Sequence, residues 1–180
     1  MSDSPPRRRI IVAVVTGDIG NRIQAWRVKH DPLQARRLPP HLTLCYWAPE
    51  APPELIEAQV RHAFPRPVPV RLGQVHVFAN QDQTYYVDVQ DTGQLDAARR
   101  LLYDGAFIDL PKGDDWTWHV TYVRRGSDAN QVQLRAAASE LAINDVWSID
   151  TVAYMQLRDD AYVTLDRWRL ADEPPEQHIQ

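Results

Sequence analysis

Pro40-His41-Leu42-Thr43-Leu44 and Trp118-His119-Val120-Thr121-Tyr122 are the two stretches on which the reading of this chain turns. Each pairs a histidine with a threonine two residues later, with apolar residues on either side of the threonine. In an extended strand, residues i and i+2 share a face. His41 therefore points with Thr43 and His119 with Thr121, while Leu42, Leu44, Val120 and Tyr122 turn toward a core. Set on facing strands, the polar pairs form a cleft floor of two imidazoles and two hydroxyls.

The surroundings of the two stretches match as well. A β-branched run, Ile10 to Val15, reads as a buried strand starting 31 residues before His41, and a second strand signal, from Thr84 to Val89, starts 35 residues before His119. The next strand begins 27 residues after His41, at Val68, and 28 after His119, at Trp147. Helical patterns fill the gaps: Gly20 to His30, Glu54 to Phe64 behind Pro52-Pro53, Gln94 to Tyr103, and a segment from a capping Asp128 to Ala142. Pro39-Pro40 stops any helix and starts an extended stretch from His41 to Trp47. Val68 to Phe78 pairs with Thr84 to Val89 as a hairpin, and Val146 to Leu157 with Ala161 to Leu170 as a closing one. Two strand–helix–strand–helix–strand units of matched spacing point to an internal duplication. Residues 1–9 and 172–180 read as flexible tails. Residues 10–171 read as one bilobal domain with pseudo-repeats at about 10–79 and 84–170.

Composition narrows the function. Of 180 residues, 44% are hydrophobic, enough to fill a core, and the net charge of -4 argues against a general polyanion binder. No DNA or membrane partner is expected, although a few groups can bind one phosphate against the net charge. The run from Ile10 to Val15 is too short for a secretory or membrane-spanning segment. Cys45, the single cysteine, allows no intrachain disulfide and no cysteine-based zinc site, which fits the cytoplasm. No His/Asp/Glu cluster has ligand spacing, so neither a metal nor another cofactor is expected.

The paired motifs meet the needs of metal-free phosphodiester cleavage. A water or 2'-hydroxyl must lose a proton while the leaving oxygen gains one, and histidine titrates near neutrality. One imidazole can serve as base and the other as acid, while threonine hydroxyls and the imidazolium hold the phosphoryl oxygens. A lone His-x-Thr says little, since ~0.2 copies arise by chance at this length. Two copies in equivalent places of a repeat say much more.

With these residues the chain resembles the two-histidine (2H) phosphoesterase superfamily, in its 2'-5' RNA ligase-like and cyclic phosphodiesterase branch. Pro40 to Leu44 looks like the first motif of that family, and His119-Val120-Thr121-Tyr122-Val123-Arg124 like the second, with Tyr122 where leucine is usual. The resemblance runs from about Ile10 to Leu170. It implies an α+β fold, bilobal, with two antiparallel sheets facing a central cleft and helices on the outer faces. It implies catalytic His41 and His119, phosphate-binding Thr43 and Thr121, and an arginine at position 124 on phosphate or base. Arg124 has the wrong parity for a regular strand, so it reaches the cleft only if the strand ends or bulges first. Arg125 is the neighbour that could replace it.

Other residues carry weaker signals. Cys45 shares parity with His41 but is better read as a small buried residue than as a nucleophile. Trp47, Tyr86 and Trp118, with Phe78 and Trp116, are candidates for stacking a nucleobase, against the alternative of core packing. The expected activity is hydrolysis of 2',3'-cyclic or 2'-5' phosphodiester bonds in RNA ends or small nucleotides by a monomer, with reverse 2'-5' ligation possible in principle. His119 is read as the base and His41 as the acid, an order the symmetric motifs leave reversible. The alternatives are a signalling phosphodiesterase acting on cyclic (oligo)nucleotides and a nucleotide-binding module without turnover.

Overall fold

β1, Arg9–Val14, is buried along its whole length, and the rest of the sheet is laid out around it. The computed structural model describes residues 8–46, 48–78, 84–104, 116–124, 131–141 and 144–170. The tail expected at 1–9 is too long by at least one residue, since Arg9 opens β1, buried and paired with Gln156. Residues 1–7, the tail at 172–180, the stacking candidate Trp47, Arg125 and the capping Asp128 lie outside the described residues. After β1 come α1 (Gly17–His30), α2 (Pro32–Arg37), β2 (His41–Cys45), α3 (Pro53–Ala63) and β3 (Val68–Val77). Then follow β4 (Tyr85–Gln90), α4 (Gln94–Tyr103), β5 (His119–Val123), α5 (Gln131–Glu140), β6 (Val146–Ile149), β7 (Thr151–Arg158) and β8 (Ala161–Arg169).

The strands form one antiparallel sheet in the order β6-β3-β4-β5-β2-β1-β7-β8. Its centre is narrow, since β2 and β5 share one registered pair, Leu42 with Val120. The outer pair β7–β8, by contrast, runs in register from Thr151 with Arg169 to Arg158 with Ala161. The two antiparallel sheets expected from the resemblance are thus two four-stranded halves of a curled sheet, joined at this seam.

β1 explains its own sequence. Ile11 and Ala13 belong to the main core beneath the helices, with Leu42, Leu44, Ile56, Val60 and Leu72. Ile10, Val12 and Val14 face the other way, into a smaller cluster with Ala153 and Met155, flanked by Leu38 and Tyr162. A strand covered on both faces reads as a continuous apolar run, not an alternating one.

Two features depart from the sequence reading. The run Val146 to Leu157 is not one strand: it breaks at Asp150, so that β6 pairs with β3 and β7 with β1 and β8. Only β7 and β8 form the closing hairpin. The second departure is α2, which the sequence reading passes over. Its start is marked by Asp31-Pro32, with the Asp31 side chain accepting from the Gln34 N–H at 3.1 Å and proline in the first turn.

α1 lies close against the end of β1. A methyl group on Gly20 would collide with the Val15 backbone carbonyl. Farther along the helix, Ile23 is fully buried and Trp26 packs 5.6 Å from the Tyr122 ring. In a free helix, Gly to Ala gains about 1 kcal/mol, but here the added carbon meets backbone that cannot rotate away. Gly20→Ala is therefore expected to lose roughly 1–2 kcal/mol net, in the range of overpacking. Urea denaturation of the two proteins measures the difference, and an unchanged or raised midpoint would contradict this account of the α1 contact.

Candidate active site

Each motif histidine is held in the same way. His41 Nδ1 lies 2.7 Å from the Pro39 carbonyl, and His119 Nδ1 lies 2.7 Å from the Thr117 carbonyl. A carbonyl only accepts, so Nδ1 carries the proton and, in the neutral ring, Nε2 has a free lone pair. Both rings line one cleft of about 350 Å³, together with Thr43 and Thr121. Antiparallel registration about Leu42 and Val120 sets His41 level with Thr121, and Thr43 level with His119. The histidines therefore lie on a diagonal, each beside the threonine of the other motif.

The strands then do something regular alternation does not foresee. Between Thr43 and Cys45 the pairing to β1 skips: Val12 faces Thr43 and Ile11 faces Cys45, which leaves Leu44 as an extra residue. Between Thr121 and Val123 the pairing to β4 skips in the same way: Tyr86 faces Thr121 and Tyr85 faces Val123, which leaves Tyr122 extra. An extra residue reverses the facing of everything after it. Cys45, which shares parity with His41 in a regular strand, is thereby turned into the main core and is fully buried, as its reading as a small buried residue expects. Tyr46 is turned into the cleft, and at the equivalent place after the second bulge so is Arg124. The opposite parity of Arg124 is removed by the bulge together with the end of β5 at Val123. Its backbone N–H donates to Asp31 Oδ2 at 3.0 Å.

The two ends of the cleft differ in charge. Lost hydration of its buried ring is the main cause that pushes the pKa of His41 down to about 4, against the pull of the Pro39 carbonyl, and the nearby Arg27, His119 and Arg124 add to it. His119 is lowered as well, chiefly by burial and opposed by the Thr117 carbonyl. Its ring stands edge-on to Phe78, at 5.0 Å, and Tyr86, at 5.3 Å, which stack on each other at 3.9 Å. The duplicated motif is symmetric in geometry and unsymmetric in electrostatics.

Of the stacking candidates, Phe78 lines the cleft. Tyr86 does not line it but stacks on Phe78. Trp118 does not reach it: the ring is buried in the main core and Nε1 donates to Asp96 at 2.9 Å. Trp116 lies half-buried between Tyr46 and Trp118. The sequence reading missed Arg8, Arg27, Gln34, Arg37 and Tyr162, all of which line the cleft. One signal for Arg27 was present, since Gly20, Ile23 and Arg27 form the buried stripe of α1 at helical spacing. For Gln34 and Arg37 it was the Asp31-Pro32 cap. Among the described residues, no group of three His, Cys, Asp or Glu is placed to hold a metal ion. Nor is any described helix long and apolar enough to cross a membrane.

Comparison with known proteins agrees with this fold. The family model of the 2'-5' RNA ligase superfamily matches residues 16–161. No curated protein sequence matches significantly. Among solved structures, E. coli LigT complexed with 3'-AMP is similar at a TM-score of 0.57 and 17% identity, over 93% of this chain and 99% of that one. E. coli LigT complexed with ATP is similar at 0.56 and 20% identity, over 93% and 99%. A Thermus thermophilus protein is similar at 0.57 and 18%, over 91% and 97%.

The lowered histidines have a consequence for stability. In the unfolded chain a histidine titrates near ~6.5, while His41 in the folded protein titrates at about 4. A depressed folded pKa favours folding above the unfolded value, and that contribution is lost as pH falls through the folded value. Stability is therefore expected to fall between about pH 6.5 and pH 4, and to fall less in His41→Asn. Thermal denaturation across this range measures it. A His41 ring signal that titrates in NMR at or above the unfolded value would refute the electrostatic picture.

Proposed function

The chain belongs to the 2'-5' RNA ligase superfamily, and from that premise we propose that it is a two-histidine phosphodiesterase opening 2',3'-cyclic or 2'-5' phosphodiesters of RNA ends and nucleotides. The observation that carries this reading is the matched hold on the two histidines. With each Nδ1–H tied to a carbonyl, each Nε2 is left to exchange protons in a cleft that also contains two threonine hydroxyls. A neutral ring in this tautomer accepts a proton at Nε2, and a charged one donates it from the same atom.

Burial and the charges around the cleft favour the reverse of the order read from the sequence. His41, deeply buried and beside Arg27 and Arg124, is the more strongly held in its neutral form and is suited to be the base. Its Nε2 takes a proton from water, and the water oxygen attacks phosphorus. The bond from phosphorus to one ribose oxygen breaks, and His119 Nε2–H protonates that oxygen as it leaves. Thr43 and Thr121 donate to the non-bridging oxygens, where charge builds up in the transition state, and Arg124 supplies positive charge at the His41 end. When the leaving oxygen is O2', the product is a 3'-monophosphate, the class of nucleotide in the E. coli LigT complex with 3'-AMP. Phe78 is placed to offer a face to the base.

The test is hydrolysis of a panel of 2',3'-cyclic nucleotides in excess EDTA. Activity is expected to survive chelation and to drop by ~10²–10⁴ in both His41→Ala and His119→Ala. Loss of one oxyanion donor, in Thr43→Ala or Thr121→Ala, is expected to cost about 10² in kcat. Turnover undiminished in the two histidine variants would sink the mechanism. Tight nucleotide binding without turnover in the parent protein would favour a binding module instead.

A further inference from the structure

The cleft holds more positive charge than one phosphodiester requires. A diester at the histidines carries a single negative charge on two non-bridging oxygens, which the threonines, the imidazolium and Arg124 already serve. The wall formed by α1 and α2 adds Arg27, Gln34 and Arg37, and none of the described lining residues is a carboxylate. Asp31, at the start of α2, offsets part of this charge, but its two oxygens are taken by the N–H groups of Gln34 and Arg124.

Arg27 is the least ordinary of these residues. It is 2% exposed, and among the described residues only its Nη2 has an acceptor, the Gln34 carbonyl at 3.0 Å. Nε and Nη1 are buried and meet no acceptor among the described residues. A guanidinium is the side chain least able to shed its proton, so a buried one with idle donors is a standing cost unless an anion offsets it. The desolvation is large enough to lower its pKa to about 10. Gln34 and Arg37 lie three residues apart on α2 and so share a helix face, and the Gln34 carbonyl ties that face to Arg27. Arg37 is half-buried, and its Nε likewise has no acceptor.

We propose that the α1–α2 wall, through Arg27, Gln34 and Arg37, is a second anion subsite that takes another phosphoryl group of the same substrate. This rests on the phosphodiesterase reading above and narrows it. The preferred substrate carries a phosphomonoester or diphosphate besides the bond that is cut. A cleft of about 350 Å³ lies at the small end of nucleotide-sized pockets, so both groups belong to one compact ligand. Guanidinium groups suit this task because they bind phosphate through paired N–H donors.

The test has two arms. In the first, kcat/KM is measured for adenosine 2',3'-cyclic phosphate and for the same nucleotide with a 5'-phosphate, in the parent protein, Arg27→Gln and Arg37→Gln. The parent is expected to favour the doubly phosphorylated substrate by about 10-fold or more, as befits one or two charge-assisted hydrogen bonds, and the ratio is expected to fall toward one in both variants. In the second arm, calorimetry compares inorganic pyrophosphate with orthophosphate. The parent is expected to bind pyrophosphate more tightly by a similar factor, with the advantage lost in the variants. Adding free orthophosphate to the first arm separates a tethered group from an independent ion, since stimulation of the simpler substrate would overturn the claim that both groups sit on one molecule. Absent turnover with a pyrophosphate advantage lost in the variants would refute the reaction and uphold the subsite. Equal turnover of the two nucleotides and equal affinity for the two anions would overturn the subsite and leave the reaction standing. If Arg27→Gln does not fold, Arg37→Gln, half-buried at the last residue of α2, decides the matter alone.

Discussion

Everything in the cleft depends on the seam where β2 meets β5. A full ladder there would give a broad, flat joint. A single registered pair, Leu42 with Val120, lets the two halves of the sheet diverge and places the motif residues around a point. The antiparallel sense of the pair puts each histidine beside the other motif's threonine. Because both histidines begin their strands, the carbonyl two residues upstream lies outside the ladder and is free to hold Nδ1. That contact selects the tautomer, and the tautomer decides which nitrogen can move a proton.

The same logic extends past the threonines. In each strand one additional residue, Leu44 or Tyr122, goes unmatched, and the chain leaves the sheet facing the other way. Both motifs thus deliver a further side chain to the cleft, but the residues differ: Tyr46 after the first, Arg124 after the second. This is where the duplication stops being symmetric. Arginines collect on the side of His41, through Arg124 and the α1–α2 wall, and aromatic rings collect on the side of His119. A substrate entering the cleft meets two equivalent proton carriers in unequal fields.

Much of this was legible in the sequence, and the parts that were not have identifiable causes. The histidines and threonines were legible because period two links residues that must share a face. The helices α3 and α4 were legible because their apolar stripes repeat at the helical period. Cys45 was legible as a buried residue but not in its facing, because a bulge leaves no mark in composition, and Arg124 could be placed only conditionally for the same reason. Asp150 parts two strands that belong to opposite halves, yet one acidic residue in an apolar run looks like an outward-facing position. Arg27 was hidden by chemistry, since an arginine on a helix is ordinarily a surface residue, and its place on the stripe of Gly20 and Ile23 outweighs that rule only once the packing is known. Trp118 was ambiguous by nature, because indole suits a core as well as a nucleobase, and the bond to Asp96 resolves it toward the core.

The split at Asp150 also bears on how the protein is made. β1 leaves the ribosome long before its outer neighbour β7: Ile10 is matched to Met155. At ~5–20 residues per second, a strand apolar on both faces waits roughly 7–30 seconds for its second partner. The first half of the sheet cannot be finished from the first half of the chain, and neither can the second, because β3 is flanked by β4 and β6. Synthesis therefore has no safe halfway point. The nascent chain holds a sticky, unpaired edge until the closing hairpin arrives, and shielding that edge during translation becomes a requirement the cell must meet.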